Sequence, residues 1–554
     1  MLDALVVGAG PTGLTMASEL VRHGLSCRLV EQLEAPSPLS RALAVQARTL
    51  EIFAHLGIAD RAVARGRRPE ALNVVGQGGL RTRVPLGQFD WMETHYPYIL
   101  MLPQDATEAL LTEHLDALGG RLERGVALET LQQEPEGVLA TLQHADGRSE
   151  QVRARWLIGC DGARSRTRKL LGLPFEGGTY KDSCMLADVR VDWSMGAGEV
   201  CIMPSVHGMT LAMPIPGDHR YRIFVIRPRD EASDKAADTA PVTLEEFQAI
   251  LDRTVPVPIR VSEPTWMSRY RLHSRGVRSY RQGHVFLAGD AAHIHSPIGG
   301  QGMNTGIQDA FNLAWKLALV TRRHAPESLL DTYEAERQRV GRHLLQGTDR
   351  AFTFVASGGL PARLLRAYVF PRVARRMFRG GRVQRRLLRF GSQLAIHYRK
   401  SPLSTERLWG EDVNGVRRAD GPAAGDRVPE LPVKGEGVER LQQVLHAPRH
   451  TLLLFTGLSP EPQAPEALGA LARRLEAAHP GVLQVRVVVA GAQAPASHIL
   501  ADTDGAVHRR FGAGSECFYL VRPDGYVGHR EWPIEARRLE AELERRLGSS
   551  RMPG

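Results

Sequence analysis

The sequence predicts an α/β protein with three structural units: a nucleotide-binding unit, an inserted β-sheet and a separate C-terminal α/β unit. Residues 4–31 read as a strand, a glycine turn, a helix and a second strand. Residues 183–227 alternate apolar and polar positions, which is typical of a sheet with one covered face. A new strand–helix–strand pattern begins after about residue 400. The 554 residues are enough for two or three domains.

Composition narrows the function classes. Hydrophobic residues make up 43% and charged residues 24%, as in a globular protein with a large core. No apolar run reaches the roughly 18 residues that span a bilayer, and no signal peptide precedes "ALVVGAG", so we expect a cytoplasmic protein without a transmembrane segment. The five scattered cysteines form no C-x-x-C pair, which supports neither a disulfide framework nor a zinc site.

The net charge of +10 comes from one segment. Residues 361–400 hold twelve Arg or Lys and no acid, which leaves 59 basic and 61 acidic residues elsewhere. The excess is local, so we expect no nucleic-acid partner.

A glycine motif, "GAGPTG", follows the first strand and opens the first helix. Gly8 permits a tight turn, Gly10 lets the backbone approach a pyrophosphate, and Gly13 lets helix and strand pack closely. The pyrophosphate would lie on the amides of the helix N-terminus. Glu31 ends the second strand, where its carboxylate can bind a ribose and would repel a 2′-phosphate. The motif therefore suits FAD or NAD and disfavours NADP.

Two further motifs are "WLIGCDGARSRTR" (156–168) and "HVFLAGDAAHIHSPIGGQGMNTGIQDAFNLAWKL" (284–317). Together with the glycine motif, in this order and spacing, they resemble the class A FAD-dependent aromatic hydroxylases, the para-hydroxybenzoate and phenol hydroxylase family. "SRALAVQARTLEIF" and "LPQDATEALLTEHL" are similar to the branch with polyketide and rifampicin-type monooxygenases. The resemblance covers essentially the whole chain.

The resemblance implies a Rossmann-like FAD-binding domain of the GR2 type, an inserted β-sheet substrate domain and a C-terminal thioredoxin-like α/β domain. The expected bounds are 1–75, 103–180 and 283–360 for the FAD-binding domain, 76–102 and 181–282 for the substrate domain, 361–400 for a basic helical junction and 401–554 for the C-terminal domain. "TLLLFTG" is followed by no cysteine pair and Cys517 stands alone. We therefore expect the C-terminal domain to be structural or interface-forming and not redox-active.

The resemblance also implies which residues hold FAD. The adenosine and pyrophosphate half falls to Gly8, Gly10, Thr12, Gly13, Glu31, Gln32 and Val126. The ribityl and ring half falls to Arg41, Gln104, Asp161, Asp290, Pro297, Gly300, Gly302, Met303 and Asn304, with Asp161 also implicated in NAD(P)H binding.

The ring half has a physical logic of its own. A helix that starts near Met303 points open amides at the group beyond its end. Such amides favour the negative charge of reduced flavin. Pro297 fixes the approach to this helix, and Gly299 and Gly300 leave room for a ring against the backbone.

Two groups of polar residues have competing interpretations. On a strand, His293 and His295 share a face and could bind a metal, but no third ligand cluster is present, so we expect them to support the flavin loop and expect no metal. Arg164, Arg166 and Arg168 either attract the phosphates of NAD(P)H or form a solvated helix face.

The basic segment 361–400 also allows two interpretations. It is either an amphipathic surface helix near an anionic membrane or acidic substrate, or a set of helices packed on the FAD-binding domain with arginines in water. We favour the second, because Pro371 and Gly380–Gly381 interrupt any long helix.

The resemblance implies an NADH- or NADPH-dependent, O2-consuming monooxygenase that hydroxylates a phenolic or polyketide-type aromatic substrate through a flavin C4a-hydroperoxide. Met203, Met213 and Phe224 are candidate substrate contacts, although core packing suits each of them; no substrate-activating base is evident. Alternatives are Baeyer–Villiger oxidation, epoxidation or antibiotic inactivation by the same chemistry, and a non-enzymatic flavoprotein that sequesters an aromatic drug. A halogenase is disfavoured because W-x-W-x-I-P is absent. The remaining expected partner is a second copy of the chain in a homodimer.

Overall fold

The computed structural model describes residues 1–37, 40, 42–86, 89–227, 241–294, 300–356, 359–377, 381–491 and 497–548. The strands are β1 (Leu2–Val7), β2 (Cys27–Glu31), β3 (Ala44–Val45), β4 (Ala71–Val75), β5 (Arg81–Pro85), β6 (Leu100–Met101), β7 (Leu122–Arg124), β8 (Val126–Glu134), β9 (Gly137–His144), β10 (Ser149–Gly159), β11 (Glu176–Trp193), β12 (Glu199–Ser205), β13 (Gly208–Pro214), β14 (Arg220–Arg227), β15 (Ile259–Gly276), β16 (Arg281–Gln282), β17 (Val285–Leu287), β18 (His293–Ile294), β19 (Thr405–Leu408), β20 (Pro432–Gly435), β21 (Val438–Arg440), β22 (His450–Phe455), β23 (Leu483–Ala490), β24 (Ile499–Asp502), β25 (Cys517–Val521) and β26 (Val527–Trp532). The α-helices are α1 (Pro11–Arg22), α2 (Ala47–His55), α3 (Ala59–Arg65), α4 (Gln104–Ala117), α5 (Arg166–Leu170), α6 (Leu244–Thr254), α7 (Gly302–Thr321), α8 (Asp331–Ala356), α9 (Leu360–Leu364), α10 (Phe370–Met377), α11 (Arg382–Gly391), α12 (Ala464–Ala478), α13 (Ala506–Phe511) and α14 (Ala536–Leu547).

The nucleotide-binding unit has a parallel sheet in the order β17–β10–β1–β2–β7, with β8 and β9 extending β10 as an antiparallel meander. Strand β1 is apolar on both faces because both are covered. Ala4 and Val6 join the core that contains α1 and α7, and Leu5 and Val7 join the core under β8 and β9. The predicted Rossmann-like unit is confirmed.

The inserted sheet has the order β18–β15–β11–β14–β13–β12–β4–β5. The sequence prediction placed residues up to 75 in the FAD-binding domain, but β4 pairs in parallel with β12 of the inserted sheet. The sequence prediction assigned β4 to the same domain as the residues that precede it in the chain. Its actual neighbour in the sheet, β12, lies more than a hundred residues further along the sequence. At the other edge, β18 pairs with the end of β15.

The two faces of the inserted sheet bury different clusters because successive side chains on a strand alternate. Tyr221, Ile223 and Val225 of β14 pack in one cluster with Phe247 and Leu251 of α6. The residues between them face the other way, towards the nucleotide-binding unit.

The C-terminal unit is a mixed sheet in the order β19–β26–β25–β22–β23–β24–β20–β21. Strands β22, β23 and β24 run parallel to one another. Strand β25 runs antiparallel to β22, and β26 runs antiparallel to β25. This is the α/β arrangement predicted for the C-terminal domain. Cys517 is fully buried in β25, and burial raises the pKa of its thiol well above the ordinary value.

Buried charges hold the C-terminal unit against helices α7 and α8. The Arg522 guanidinium donates to both carboxylate oxygens of Glu336, at 2.6 and 2.9 Å, and Lys316 Nζ lies 2.9 Å from the same carboxylate. Burial lowers the pKa of Lys316 to about 8. Removing one partner from such a cluster leaves an uncompensated buried charge.

In the basic segment, α10 fits the interpretation of a helix packed on the protein, because Pro371 and Ala374 are buried. Helix α11 does not, since it has no buried residue. Across the ranges given above, no helix is long and apolar enough to cross a membrane.

Candidate functional site

The turn before α1 is shaped by three glycines. Gly8 adopts φ +100°, and a Cβ on Gly13 would lie 1.8 Å from the Gly8 carbonyl oxygen, so the helix touches the turn directly. A Cβ on Gly10, by contrast, would enter space that no described atom fills within 4 Å. No side chain among the described residues caps the first turn of α1. The turn therefore offers open amides and room for a diphosphate.

The end of β2 lies beside this turn. Glu31 Oε2 accepts a hydrogen bond from Ala9 N at 2.8 Å, and Oε1 accepts one from Leu33 N at 3.0 Å. Gln32 is exposed, and Val126 is buried at the start of β8. The residues predicted to contact the adenosine half thus lie at the carboxyl end of β2 and the start of β8.

Thr12 joins the two halves of the predicted FAD site. A Cβ on Gly306 of α7 would lie 2.2 Å from Thr12 Oγ1, and one on Gly289 would lie 2.6 Å from it. Only residues without side chains allow α1, α7 and the Gly289 turn to approach so closely. Gly306 was not predicted, although a glycine inside a strongly apolar helix signals close packing.

The start of α7 is held by one buried side chain. Asn304 Nδ2 donates to the carbonyl oxygens of Ala44 and Gly300, both at 2.7 Å, and its Oδ1 accepts from Gln46 N at 2.9 Å. Gln301 directs its side-chain amide to the Gly391 carbonyl at 3.1 Å and not to the helix. Within the described residues no side chain caps α7, so the amides of its first turn, from Gly302 and Met303 onwards, are available to a ligand.

A short connection near residue 42 spans the two units. Gln104 Oε1 accepts from Ala42 N at 3.1 Å, and Gln104 N donates to Ser40 Oγ at 3.0 Å. The predicted contacts Arg41 and Pro297 lie outside the described residues, as do His295 and Gly299.

The Asp-Gly motif is tied down by its own side chains. Asp161 Oδ1 accepts from Ser165 Oγ at 2.5 Å, and Oδ2 accepts from Thr167 N at 2.9 Å. Arg168 is buried and donates to the Ala291 carbonyl at 2.9 Å, which links this motif to the Gly-Asp motif. Arg168 thus belongs to neither of the two predicted alternatives. Asp290 is exposed in the turn Gly289–Ala291.

Arg164 and Arg166 are exposed. Arg166 donates to the Glu129 carbonyl at 2.9 Å. Both interpretations of this pair, as an attractor of NAD(P)H phosphates and as a solvated face, stay open.

His293 belongs to a buried polar chain beneath the Gly-Asp motif. Its Nε2 lies 2.7 Å from Asp309 Oδ2, which also accepts from Gly289 N at 3.0 Å. Arg337 Nε donates to Asp309 Oδ1 at 2.6 Å. Burial alone would raise the pKa of Asp309, but Arg337 and His293 outweigh it and hold that pKa below the ordinary value. The described residues contain no cluster of three His, Cys, Asp or Glu that could hold a metal.

The three predicted substrate contacts divide between the faces of the inserted sheet. Met203 packs in the cluster with α6 and points away from the nucleotide-binding unit. Phe224 and Met213 lie on the opposite face, in a cluster that includes Trp266 and Tyr270. Met213 also packs in the cluster of Ala44, and a Cβ on Gly300 would lie 2.9 Å from the Ala44 Cβ. This apolar face therefore adjoins the open end of α7.

A buried ion pair on that same face was missed by sequence reasoning. Arg222 forms a bidentate pair with Asp188 at 2.7 and 2.8 Å, and Trp266 Nε1 donates to the same carboxylate at 3.0 Å. Arg222 also donates to the Ala42 carbonyl at 2.8 Å. The signal was present as single charges within apolar strands, but their pairing joins β11, β14 and β15.

Two open helix ends, those of α1 and α7, are thus fixed to each other, and an apolar sheet face lies beside the second. Room at Gly10, the carboxylate at Glu31 and open amides at α7 fit a dinucleotide with a flat ring system.

Comparison of the chain with known protein families agrees with this geometry. Residues 1–348 match the FAD binding domain family, and residues 421–550 match the family "aromatic-ring hydroxylase, C-terminal". The chain belongs to the FAD-dependent aromatic hydroxylases, and it is a flavin-dependent monooxygenase with FAD as its cofactor.

Individual proteins of known activity or structure are similar to the chain over most of its length or over its N-terminal part. The chain is 37% identical to 6-methylpretetramide 4-monooxygenase of Streptomyces rimosus over 98% of this chain and 93% of the relative. It is 41% identical to rifampicin monooxygenase of Streptomyces venezuelae over 63% of this chain and 70% of the relative. Anhydrotetracycline hydroxylase from Streptomyces rimosus superposes with a TM-score of 0.71 at 31% identity, covering 99% of both chains.

Proposed function

We propose that this monooxygenase hydroxylates a polyketide-type aromatic compound, with NADH or NADPH as reductant and O2 as oxidant. The observation that carries the proposal is the position of the apolar face of Phe224 and Met213 beside the open end of α7. A flat apolar substrate on that face would lie against the ring of bound FAD. Relatives named for 6-methylpretetramide, anhydrotetracycline and rifampicin support a substrate of this class.

Bound FAD would supply the redox chemistry, that is, hydride acceptance from the nicotinamide and activation of O2. The protein's own contribution is positioning and electrostatics. The first-turn amides of α7 would stabilise negative charge on the reduced ring, and Asn304 holds that turn against the backbone at Ala44 and Gln46. The buried Arg222–Asp188 pair fixes the sheet to the connection at Ala42, which keeps the cleft between the two units in one geometry.

The individual FAD contacts belong to the same proposal. The helix ends at Gly10 and Gly302 would bind the pyrophosphate and the ring, and Glu31 the ribose. The other proposed contacts are Gly8, Thr12, Gly13, Gln32, Arg41, Gln104, Val126, Asp161, Asp290, Pro297, Gly300, Met303 and Asn304.

Aerobic turnover tests the proposal. Purified protein carrying FAD is offered NADH or NADPH with a panel of phenols and aromatic polyketides, while cofactor oxidation and product mass are recorded. We expect substrate-stimulated oxidation of one nicotinamide and a product that contains one additional oxygen atom on an aromatic carbon. Product NMR separates hydroxylation from Baeyer–Villiger insertion and epoxidation. Tight substrate binding without any cofactor oxidation would favour the sequestering flavoprotein and contradict the proposal.

A matched pair of variants tests the substrate face. Phe224→Ala should raise KM for the aromatic substrate, since Phe224 lies on the cleft face. Met203→Ala removes a side chain of the opposite face and should lower stability while leaving KM unchanged. Equal changes in KM would contradict the assignment of the two faces.

Two further expectations complete the proposal. We propose a cytoplasmic location, which cell fractionation tests. We also propose that the chain forms a homodimer, which light scattering at several protein concentrations tests.

A further inference from the structure

One surface of the molecule combines exposed apolar side chains with an excess of positive charge. Twelve large hydrophobic residues of the described chain are exposed, and eight of them lie between residues 364 and 390. They are Leu364, Leu365, Tyr368, Val369, Val373, Val383, Leu387 and Phe390. We call this set, together with the arginines of α9 to α11, the basic apolar surface. Exposed apolar side chains concentrated in one stretch of a folded chain are typical of an interaction site.

Helix α11 shows the pattern most clearly. Val383, Leu387 and Phe390 follow each other at spacings of four and three residues, which places them on one stripe. Their exposed fractions are 53%, 39% and 48%, and no residue of α11 is buried. The guanidinium groups of Arg385 and Arg389 lie 5.7 and 5.9 Å from the Trp91 ring centre. The side of α11 that carries Arg385 and Arg389 thus contacts the protein, and the apolar stripe faces outwards. Arg382 and Arg386 are exposed as well.

The preceding helices fix this surface to the inserted sheet. Ala367, Pro371 and Ala374 are buried, and Arg366 Nε donates to the Ser205 carbonyl at the end of β12 at 3.1 Å. A Cβ on Gly76 would lie 2.6 Å from Pro371 Cγ, so α10 sits directly on the chain between β4 and β5. The exposed apolar residues from Leu364 to Val373 are therefore held in place, and their side chains are exposed in the part of the chain that the structure describes.

The charge of the segment selects the occupant. Residues 361–400 carry twelve basic residues and no acid. In a symmetric dimer formed through this surface, the same patch would meet itself, and two acid-free basic segments would repel each other. An occupant that accepts both the arginines and the apolar stripe must be anionic and apolar at once. An anionic lipid interface has both properties and requires no shape complementarity, since apolar side chains enter the acyl boundary and arginines stay at the headgroups.

We propose that the basic apolar surface docks the enzyme reversibly on an anionic lipid membrane. The contact is peripheral, with α11 lying in the interface plane. Gln301, the residue before α7, donates to the Gly391 carbonyl at the end of α11, so docking places the predicted ring site beside the lipid surface. Given the proposed function, an apolar aromatic substrate dissolved in the membrane would be concentrated at the cleft.

Vesicle co-sedimentation of the FAD-loaded enzyme tests the proposal. The probes are vesicles of phosphatidylcholine alone and vesicles of equal parts phosphatidylcholine and phosphatidylglycerol. We expect binding to the anionic vesicles, weakened by salt, and at least about tenfold weaker binding to the neutral ones. The variant Val383→Ser/Leu387→Ser/Phe390→Ser should bind the anionic vesicles at least about tenfold more weakly than the natural protein.

Matched controls separate docking from general charge and from general surface polarity. Trp409→Ser/Val413→Ser removes two other exposed apolar residues, and should bind vesicles normally. For charge, Arg382→Gln/Arg386→Gln should weaken binding, whereas Arg148→Gln/Arg153→Gln, with the same change in net charge on the β9–β10 hairpin, should not. FAD content and turnover of a soluble substrate, measured without vesicles, should be unchanged in all four variants.

Several outcomes would overturn the proposal. One is equal binding to both vesicle types, and another is undiminished binding of the serine variant, which would leave only charge attraction. A natural protein that dimerises while the serine variant is monomeric would assign the face to a second copy. Binding to soluble poly-glutamate as tight as to anionic vesicles would assign it to an acidic polypeptide. Loss of turnover with intact vesicle binding would instead count against the proposed function alone.

Discussion

Helices α1 and α7 both begin with open amides, but the chain builds the two ends differently. The end of α1 is formed by residues 8–13 and by Glu31, all within one strand–helix–strand unit. The end of α7 is held by Asn304, whose partners Ala44 and Gln46 lie more than 250 residues away in sequence. A helix N-terminus with open amides can thus be formed by local glycines or held by one side-chain amide that bonds to a distant part of the chain. Substitutions at the two ends should therefore have different effects on stability and FAD binding.

The largest effect on stability and FAD binding is expected at the N-terminus of α1, which local glycines form. In Gly13→Ala the new methyl group would overlap the Gly8 carbonyl oxygen, which is backbone and cannot move aside. We expect a loss of at least about 3 kcal/mol in the free energy of unfolding, together with loss of FAD. Urea denaturation and the flavin absorbance of the purified protein measure both.

Gly10→Ala is the matched control for that change. Its methyl group enters open space, so the stability of the FAD-free protein should change by no more than about 1 kcal/mol. FAD affinity should nevertheless fall about a hundredfold or more, because the backbone at this position approaches the pyrophosphate. Equal loss of stability in both variants would contradict the separate roles of the two glycines.

A loss of stability of comparable size is expected beneath the Gly-Asp motif, where α7 carries Asp309. Asp309→Asn keeps the size of the side chain but leaves the buried Arg337 without its carboxylate. We expect a loss of about 3–5 kcal/mol, the usual result of breaking a buried ion pair from one side. Thermal and urea unfolding measure it. The control is Asp290→Asn, at an exposed position of the same motif, which should change stability little. If Asp309→Asn also left stability unchanged, the Asp309–Arg337 pair would not contribute to stability.

The pH dependence of stability follows from the same carboxylate. Arg337 and His293 hold the pKa of Asp309 below the value of an unfolded chain. The unfolded state therefore binds its proton first as the pH falls, so the stabilisation by Asp309 is complete above about pH 4 and declines below it. The stability difference between the natural protein and Asp309→Asn, measured by urea unfolding, should become smaller as the pH falls from about 6 to about 3. A constant difference would contradict this assignment.

The two helix ends also explain how far sequence reasoning reaches. The strand, glycines and terminal acid around α1 obey local rules, so the turn at Gly8–Gly13 and the carboxylate at Glu31 were predicted from spacing alone. At α7 the glycines and the helix start were predicted, whereas the bonds of the Asn304 side chain were not. Spacing along the chain does not reveal which distant backbone a buried amide meets.

The same limit applies to the sheet and to the buried charges. Pairing of β4 with β12, and of Arg222 with Asp188, depends on strand order, which alternation does not specify. Alternation did predict a sheet with a covered face. It could not say which face is covered, and so Met203 could not be distinguished from Phe224.

A smaller effect on stability is expected at the N-terminus of α7, which Asn304 holds to a distant part of the chain. Asn304→Ala removes the acceptor of Gln46 N and the donor to the Ala44 carbonyl, which should cost about 1–3 kcal/mol. FAD should still bind, because the end of α1 is intact. The first turn of α7 would lose its anchor, so we expect a larger share of NAD(P)H oxidation to end in hydrogen peroxide, measured with a peroxidase assay.

A bridging amide elsewhere provides the control for Asn304. Gln248 donates to the Ile259 carbonyl at 2.9 Å and accepts from Val261 N at 2.9 Å, far from α7. Gln248→Ala should lower stability to a similar degree and leave the peroxide yield unchanged. A rise in peroxide with both variants would mean that general loosening, and not the anchor of α7, controls coupling.

The smallest effect is expected for Glu31→Gln at the end of β2. Each carboxylate oxygen accepts one amide hydrogen, from Ala9 and from Leu33, whereas a glutamine side chain offers only one oxygen and two donors. One of the two amides must therefore lose its acceptor, at a partly exposed site where water replaces it, so stability should fall by about 1 kcal/mol or less. FAD affinity, measured by flavin fluorescence, should fall about tenfold because the ribose loses a charged acceptor. Glu34→Gln makes the same change in charge three residues further on and should leave FAD affinity as it is; equal weakening in both would reduce the role of Glu31 to its charge alone.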